Sequence, residues 1–305
     1  MGQPHGRTAP RTILSARYGR VNADGTAAEP RPSQVLRWHD EGVTATWFGY
    51  RDAPDDDGAA REWWDAHADE YLEDHGGFLG DAGFRWGPEG LTEAEARLLG
   101  EVRGADVLEV GAGAAHCSRW LAGQGARVVA TDVAPAMMDA AARLDARTGT
   151  RVPVVEADAR ALPFADVSFD VVFTSFGAIP FVADANRVHA EAARVLRPGG
   201  RWVFSVTHPL RWAFPDDPGP DGLTAHRSYF DRRPYVEATA SGRVVYAEHH
   251  RTVGDHVRDV VAAGLRLRDL VEPEWPAWNT ETWGGWGPVR GAYLPGTAVF
   301  VTTKD

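Results

Sequence analysis

The chemically most informative stretch of the chain is Val107 to Ala122, VLEVGAGAAHCSRWLA. An aliphatic run ends in Gly111-Ala112-Gly113 and passes straight into a helical pattern. A strand feeding a glycine turn at a helix N-terminus lets backbone come close to a ligand and aims the first helical N–H groups at it. Glu109 stands two residues before Gly111. Asp132 closes the next apolar run, 19 residues beyond Gly113, where a carboxylate can accept hydrogen bonds from both hydroxyls of a ribose. This spacing points to a nucleotide-type cofactor. An NAD(P)-dependent oxidoreductase starts in the same way, but its fingerprint needs a glycine three positions beyond Gly113, and His116 is there instead. An acid at Glu109 is unfavourable beside a pyrophosphate and natural beside an amino-acid ammonium group.

The elements that must position these residues follow from periodicity. From Ala105 short apolar runs alternate with helices, as in a parallel sheet covered on both faces. Strands are expected near 105–110, 127–131, 152–156, 170–175 and 201–207, with helices near 116–124, 135–147 and 184–196. After His208 comes a Pro- and Asp-rich excursion with a hairpin turning at Ser241-Gly242. A helix near 253–263, capped by Thr252 with Asp255 three residues on, precedes strands near 265–271 and 297–302. Upstream, Trp64, Ala68, Tyr71 and Leu72 share one face of a helix over Arg61 to His75. Thr92 and Glu95 form a capping box, with Leu91 at the staple position, for a second helix ending near Gly104.

Composition limits the chemistry further. The 305 residues carry a net charge of -11, so a long polyanion would be repelled and nucleic acid is not expected as a partner. No apolar run approaches the roughly 20 residues a membrane span needs. Cys117 is the only cysteine and Lys304 the only lysine. A cysteine zinc cage, a paired-thiol redox centre, a P-loop and Schiff-base chemistry are thereby excluded. Residues 1–42 have six Arg, four acidic residues and little periodicity. They are expected to form a disordered extension, or an arm packing on a partner subunit in a homo-oligomer. With no uninterrupted apolar core of about 7–15 residues near Met1, a cytoplasmic location is expected.

At these residues the chain resembles the class I S-adenosylmethionine-dependent methyltransferases, particularly the UbiE-like small-molecule group called methyltransferase type 11. The resemblance runs from about Trp63 to Thr303. Glu109, Gly111 and Gly113 match the motif that contacts the methionine part of S-adenosyl-L-methionine, and Asp132 matches the ribose-binding acid. Met137 falls where the family packs an apolar side chain on adenine, Asp158 at the adenine amino-group position with Ala159 beside it, and Ser175 beside the reaction centre. The phrase EAARVLRPGGRWVFSV, Glu191 to Val206, is also shared, and Tyr71 lies in a segment similar to the helix that covers the cofactor. One departure is Ala115, where the family usually has a third glycine.

The resemblance implies an α/β fold: a Rossmann-like, doubly wound, mostly parallel seven-stranded sheet with an N-terminal helical lid (43–104) and a methyltransferase domain (105–305). A loop-rich cap is expected after the fifth strand, at about 209–250. It also implies methyl transfer to a small aromatic or apolar molecule at oxygen or carbon, without a metal. The alternatives are an NAD(P)-dependent oxidoreductase and a non-catalytic cofactor-binding module. If the accepting atom carries a proton, a base is needed. His208, directly after the fifth strand, and His250, before the helix near 253, are the candidates, whereas His67 and His75 on the lid helix are expected at the surface. Trp212, Trp275, Trp278, Trp283 and Trp286 are expected as an aromatic wall for the substrate.

Overall fold

The computed structural model describes residues 45–53 and 58–305. The expected arm at 1–42 lies outside the described residues. In chain order the elements are β1 (Trp47–Tyr50), α1 (Ala59–Leu79), α2 (Glu93–Ala96), β2 (Asp106–Val110), α3 (His116–Gly123), β3 (Arg127–Asp132), α4 (Pro135–Thr148) and β4 (Val154–Glu156). Then follow β5 (Phe169–Ser175), α5 (Ala185–Val195), β6 (Leu196–Thr207), β7 (Tyr235–Ala238), β8 (Val244–Glu248), α6 (Val253–Ala262), β9 (Leu265–Val271), α7 (Pro288–Gly291) and β10 (Thr297–Lys304).

The large sheet has the order β4-β3-β2-β5-β6-β10-β9. β2 to β6 run parallel, and only β10 is reversed, pairing antiparallel with β6 and β9. It is the Rossmann-like, doubly wound, seven-stranded sheet that the sequence pattern implied. Because side chains alternate along a strand, both faces are apolar. Val107, Val171, Phe173 and Val203 bury on one side; Leu108, Val172, Trp202 and Phe204 bury on the other, against α5 and α6. The chain winds outward in opposite directions from β2 and β5, which leaves a crevice beyond their carboxyl ends.

Three features depart from expectation. In the cap, β7 and β8 make the expected hairpin at Ser241-Gly242, but β1 joins it unexpectedly as a third antiparallel strand. Four residues are too few to show a period, and this partner lies far along the chain. The segment 43–104 is likewise more than a helical lid. Beyond α1 it sends Phe84, Trp86, Leu99 and Val102 into the core beneath the sheet, against Val107, Leu121 and Val203. Finally, the capping box at Thr92 and Glu95 is present, but α2 is a single turn rather than a helix to Gly104. Arg97 turns left-handed at φ 52, and the buried Glu93 carboxylate accepts hydrogen bonds from Leu98 N, Leu99 N and Trp86 Nε1.

Candidate active site

A cavity of about 630 Å³ fills the crevice, lined by Tyr71, Glu109, Gly111, Gly113, Asp132, Met137, Asp158, Ala159 and Ser175 among others. All nine residues matched to cofactor-contacting positions in the sequence therefore meet in one space, brought there by α1, the ends of β2, β3 and β5, the start of α4 and the loop after β4.

Gly111 is needed sterically, and Gly113 for its left-handed backbone at φ +54. Gly111 has φ +66, and a Cβ there would lie 2.8 Å from Ala178 N. That neighbour belongs to the loop after β5, where Phe176 (φ 57) and Ala178 (φ 49) also hold positive φ values. Such conformations cost about 1–3 kcal/mol each and cluster at functional sites. Ala115 takes the left-handed conformation (φ 57) that the family's glycine would take, at a cost of about 1–2 kcal/mol. Arg119, which the motif reading passed over, holds this turn. Its Nη1 donates to Ala114 O, Ala115 O and the Asp81 carbonyl, and its Nη2 donates to Ala141 O and Asp145. A fully buried guanidinium thus ties the glycine loop to α4 and to the end of the lid. His116 reinforces that tie, its Nδ1–H donating to Gly80 O at 2.6 Å.

The carboxylates differ in environment. Asp132 is 8% exposed and accepts from Gly113 N at 2.7 Å and Ala134 N at 2.9 Å. Burial pushes its pKa upward. Glu109 is 3% exposed and is pushed up to about 7 by burial, against hydrogen bonds from the Ser118 amide and hydroxyl. Asp158 is held below its ordinary value by the Arg160 side chain bonded to it.

α1 roofs the cavity through Trp64 and Tyr71, which pack with Met137, Ala68 and Ala134. Asp65 Oδ1 accepts from Ala136 N at 2.7 Å, which anchors α1 to the start of α4. A second cavity of about 220 Å³ shares Trp64, Tyr71, Arg85, Ser175, Phe176 and Phe181 with the first. Its other walls include Trp63, Phe78, Tyr246, Trp283 and Trp286. Of the five tryptophans expected as an aromatic wall, only Trp283 and Trp286 line it. Trp212 is buried against Tyr50 and His250, Trp275 donates to Asn279 O, and Trp278 is exposed. The remaining aromatic wall comes from α1, β8 and the loop after β5.

His208 and His250 line neither cavity. His208 Nδ1 caps a short turn by accepting from Leu210 N, and its Nε2–H donates to Glu272. His250 Nε2–H donates to the Tyr229 carbonyl, and burial lowers its pKa to about 4. Position beside a strand or helix end suggested both as bases, but His208 is held by Glu272 after β9 and His250 by Tyr229 within the cap. Conversely His67 and His75, expected at the surface, line the second cavity. They lie four and twelve residues after Trp63, with Tyr71 between them at eight, a helical spacing that was visible in the sequence.

Residues 108–204 match the family model described as a methyltransferase domain. This segment is similar to that family of methyltransferase domains. The matched segment runs from β2 to β6 and contains eight of the nine residues; Tyr71 comes from α1. The chain is 42% identical over 120 residues to a demethylmenaquinone methyltransferase of Thermus thermophilus, an alignment covering 39% of this chain and 50% of the relative. The chain therefore spans about half the length of that curated relative. In fold it is similar to an S-adenosylmethionine dependent methyltransferase from Mesorhizobium loti, with TM-score 0.52 and 23% identity over 72% of this chain and 100% of the other. It is also similar to a Burkholderia thailandensis 1,6-didemethyltoxoflavin-N1-methyltransferase solved with 1,6-didemethyltoxoflavin and S-adenosylhomocysteine, with TM-score 0.52 and 21% identity over 88% and 99%. Outside the matched segment, α1, the cap and the connection between β9 and β10 supply most of the walls of the second cavity.

Proposed function

We propose that the protein is an S-adenosyl-L-methionine-dependent methyltransferase whose acceptor is a small aromatic molecule. One observation carries this reading: the cavity at the β2–β5 crevice gathers all nine cofactor-matched residues and shares a wall with an aromatic chamber. The residues fit the group. Close approach of backbone at Gly111, a buried carboxylate at Asp132 and an apolar surface at Met137 suit a ribose and a purine. Asp132 accepts from the ribose hydroxyls, Glu109 faces the amino-acid end, Met137 packs on the base, and Asp158 with Ala159 borders its amino edge. When bound, the cofactor supplies a methyl group already activated on a sulfonium. Tyr71 and Trp64 exclude water from that charge, and the loop after β5 orients the acceptor.

His208 and His250 are not part of this proposal. The menaquinone-type relative and the 1,6-didemethyltoxoflavin enzyme act on aromatic ring systems by name, which agrees with the chamber's walls. Isothermal titration tests the reading: S-adenosylhomocysteine should bind and NADH should not. Binding of NADH alone would support the oxidoreductase alternative.

A further inference from the structure

We infer that Nε2 of His67, on the inner face of α1, takes the proton from a hydroxyl group of a flat aromatic acceptor held in the second cavity. This inference rests on the methyltransferase reading above.

Trp63, His67, Tyr71 and His75 follow one another at intervals of four along α1, so they form a single stripe. All four line the second cavity. The His67 ring stacks on Trp63, with centroids 4.5 Å apart and planes 18° apart. Its Nδ1 lies 2.7 Å from the Trp63 carbonyl oxygen. A carbonyl only accepts, so Nδ1 carries the hydrogen and Nε2 is left with a lone pair. The stack fixes the ring plane and the hydrogen bond fixes the tautomer. His67 is also only half-buried, so an imidazolium formed there can pass its proton to water.

His75 is suited to a different task. It stacks on Trp283, centroids 3.8 Å apart, and burial lowers its pKa to about 4. It is a wall of the chamber rather than a place for a proton. The other charged groups around the chamber are Glu70, Asp74, Asp216 and Glu248 against Arg85 and Arg211. Arg85 donates to the Phe78 and Gly90 carbonyls, and Arg211 lies 3.5 Å from Asp216. Burial pushes Glu248 toward its neutral form, but Glu70, Asp74 and Asp216 still outnumber the two arginines, which already hold partners, so the chamber does not favour entry of a ready-made phenolate. The acceptor therefore enters as the neutral hydroxyl and loses its proton during transfer. In that step a lone pair of the acceptor oxygen forms the new C–O bond while the C–S bond of the sulfonium breaks, its electron pair staying on sulfur. The O–H pair stays on oxygen and the proton bonds to Nε2.

The test uses the full chain, 15N-labelled and saturated with S-adenosylhomocysteine, with 2-naphthol and naphthalene as probes. Long-range proton–nitrogen spectra, assigned with His67→Phe, should show His67 protonated at Nδ1. Adding 2-naphthol should shift the Nε2 resonance, whereas naphthalene should leave it in place. His67→Phe keeps the stack on Trp63 and should weaken 2-naphthol by about fivefold or more, the worth of one hydrogen bond, with S-adenosylhomocysteine affinity unchanged within about twofold. An Nε2-protonated tautomer, an unmoved Nε2 signal, or no binding of 2-naphthol would overturn the inference. Failure of the wild-type chain to bind S-adenosylhomocysteine would instead overturn the methyltransferase reading.

Discussion

Replacing Asp132 by alanine separates two jobs that one carboxylate performs. Oδ2 accepts from Gly113 N and Oδ1 from Ala134 N, while the group also lines the cofactor cavity. Gly113 borders the cavity, so water can take over its bond when the carboxylate is gone. Ala134 is fully buried, so its N–H is left without an acceptor. An unsatisfied buried donor costs about 1–3 kcal/mol, which sets the expected loss of stability without ligand. Removal of the ribose acceptor should cost a further 1–3 kcal/mol or so of binding, or about 5- to 140-fold in the dissociation constant of S-adenosylhomocysteine. Titration calorimetry and denaturant unfolding on the same preparation read the two quantities apart. A drop in stability with unchanged ligand affinity would refute the assignment and leave Asp132 as a loop anchor only.

Tyr71→Ala should weaken S-adenosylhomocysteine binding and lower the melting temperature, since the ring packs on Trp64 and lines both cavities, whereas Tyr71→Phe and the exposed Glu73→Ala should change neither, as paired titration and melting experiments would show. Glu109, with its folded pKa near 7 against an ordinary 4.5, holds its proton more tightly in the folded state, so its contribution is complete below pH 4.5 and is lost as pH rises to 7. Glu109→Gln should therefore gain stability relative to wild type between about pH 5 and about pH 8 in ligand-free unfolding experiments, and an unchanged difference would contradict the burial of that carboxyl. Arg119→Ala removes the ion pair to Asp145 and the donor to two turn carbonyls, and should cost about 3 kcal/mol of folding stability by denaturant titration, the scale for breaking a buried ion pair.

Much of this protein was legible residue by residue. The strand-to-helix pattern from Ala105 to Thr207 is local and strongly periodic, because each buried strand must be apolar on both faces and each covering helix on one. The glycine loop and Asp132 are legible for a related reason: a turn that brings backbone to a ligand permits few residue types, so Gly111 and Gly113 announce their conformation. Ala115 shows the limit. Its left-handed backbone contradicts its type, and only the buried Arg119, joined to it through space, accounts for it.

The second cavity was legible only in part. The stripe of Trp63, His67, Tyr71 and His75 is written in helical spacing, but whether it meets solvent or a chamber depends on Trp283, which arrives more than two hundred residues later in the chain. His208 and His250 failed for the same reason in reverse, since a strand end locates the backbone and says nothing of where the following loop carries the ring. β1 and the single turn of α2 were likewise decided by distant partners. Local sequence determined the parallel core and the cofactor-facing loop, because period and backbone conformation are properties of neighbouring residues. Tertiary structure alone decided which aromatic and titratable side chains share the acceptor chamber, because burial and hydrogen-bond partners are set by elements that meet only when the chain is folded.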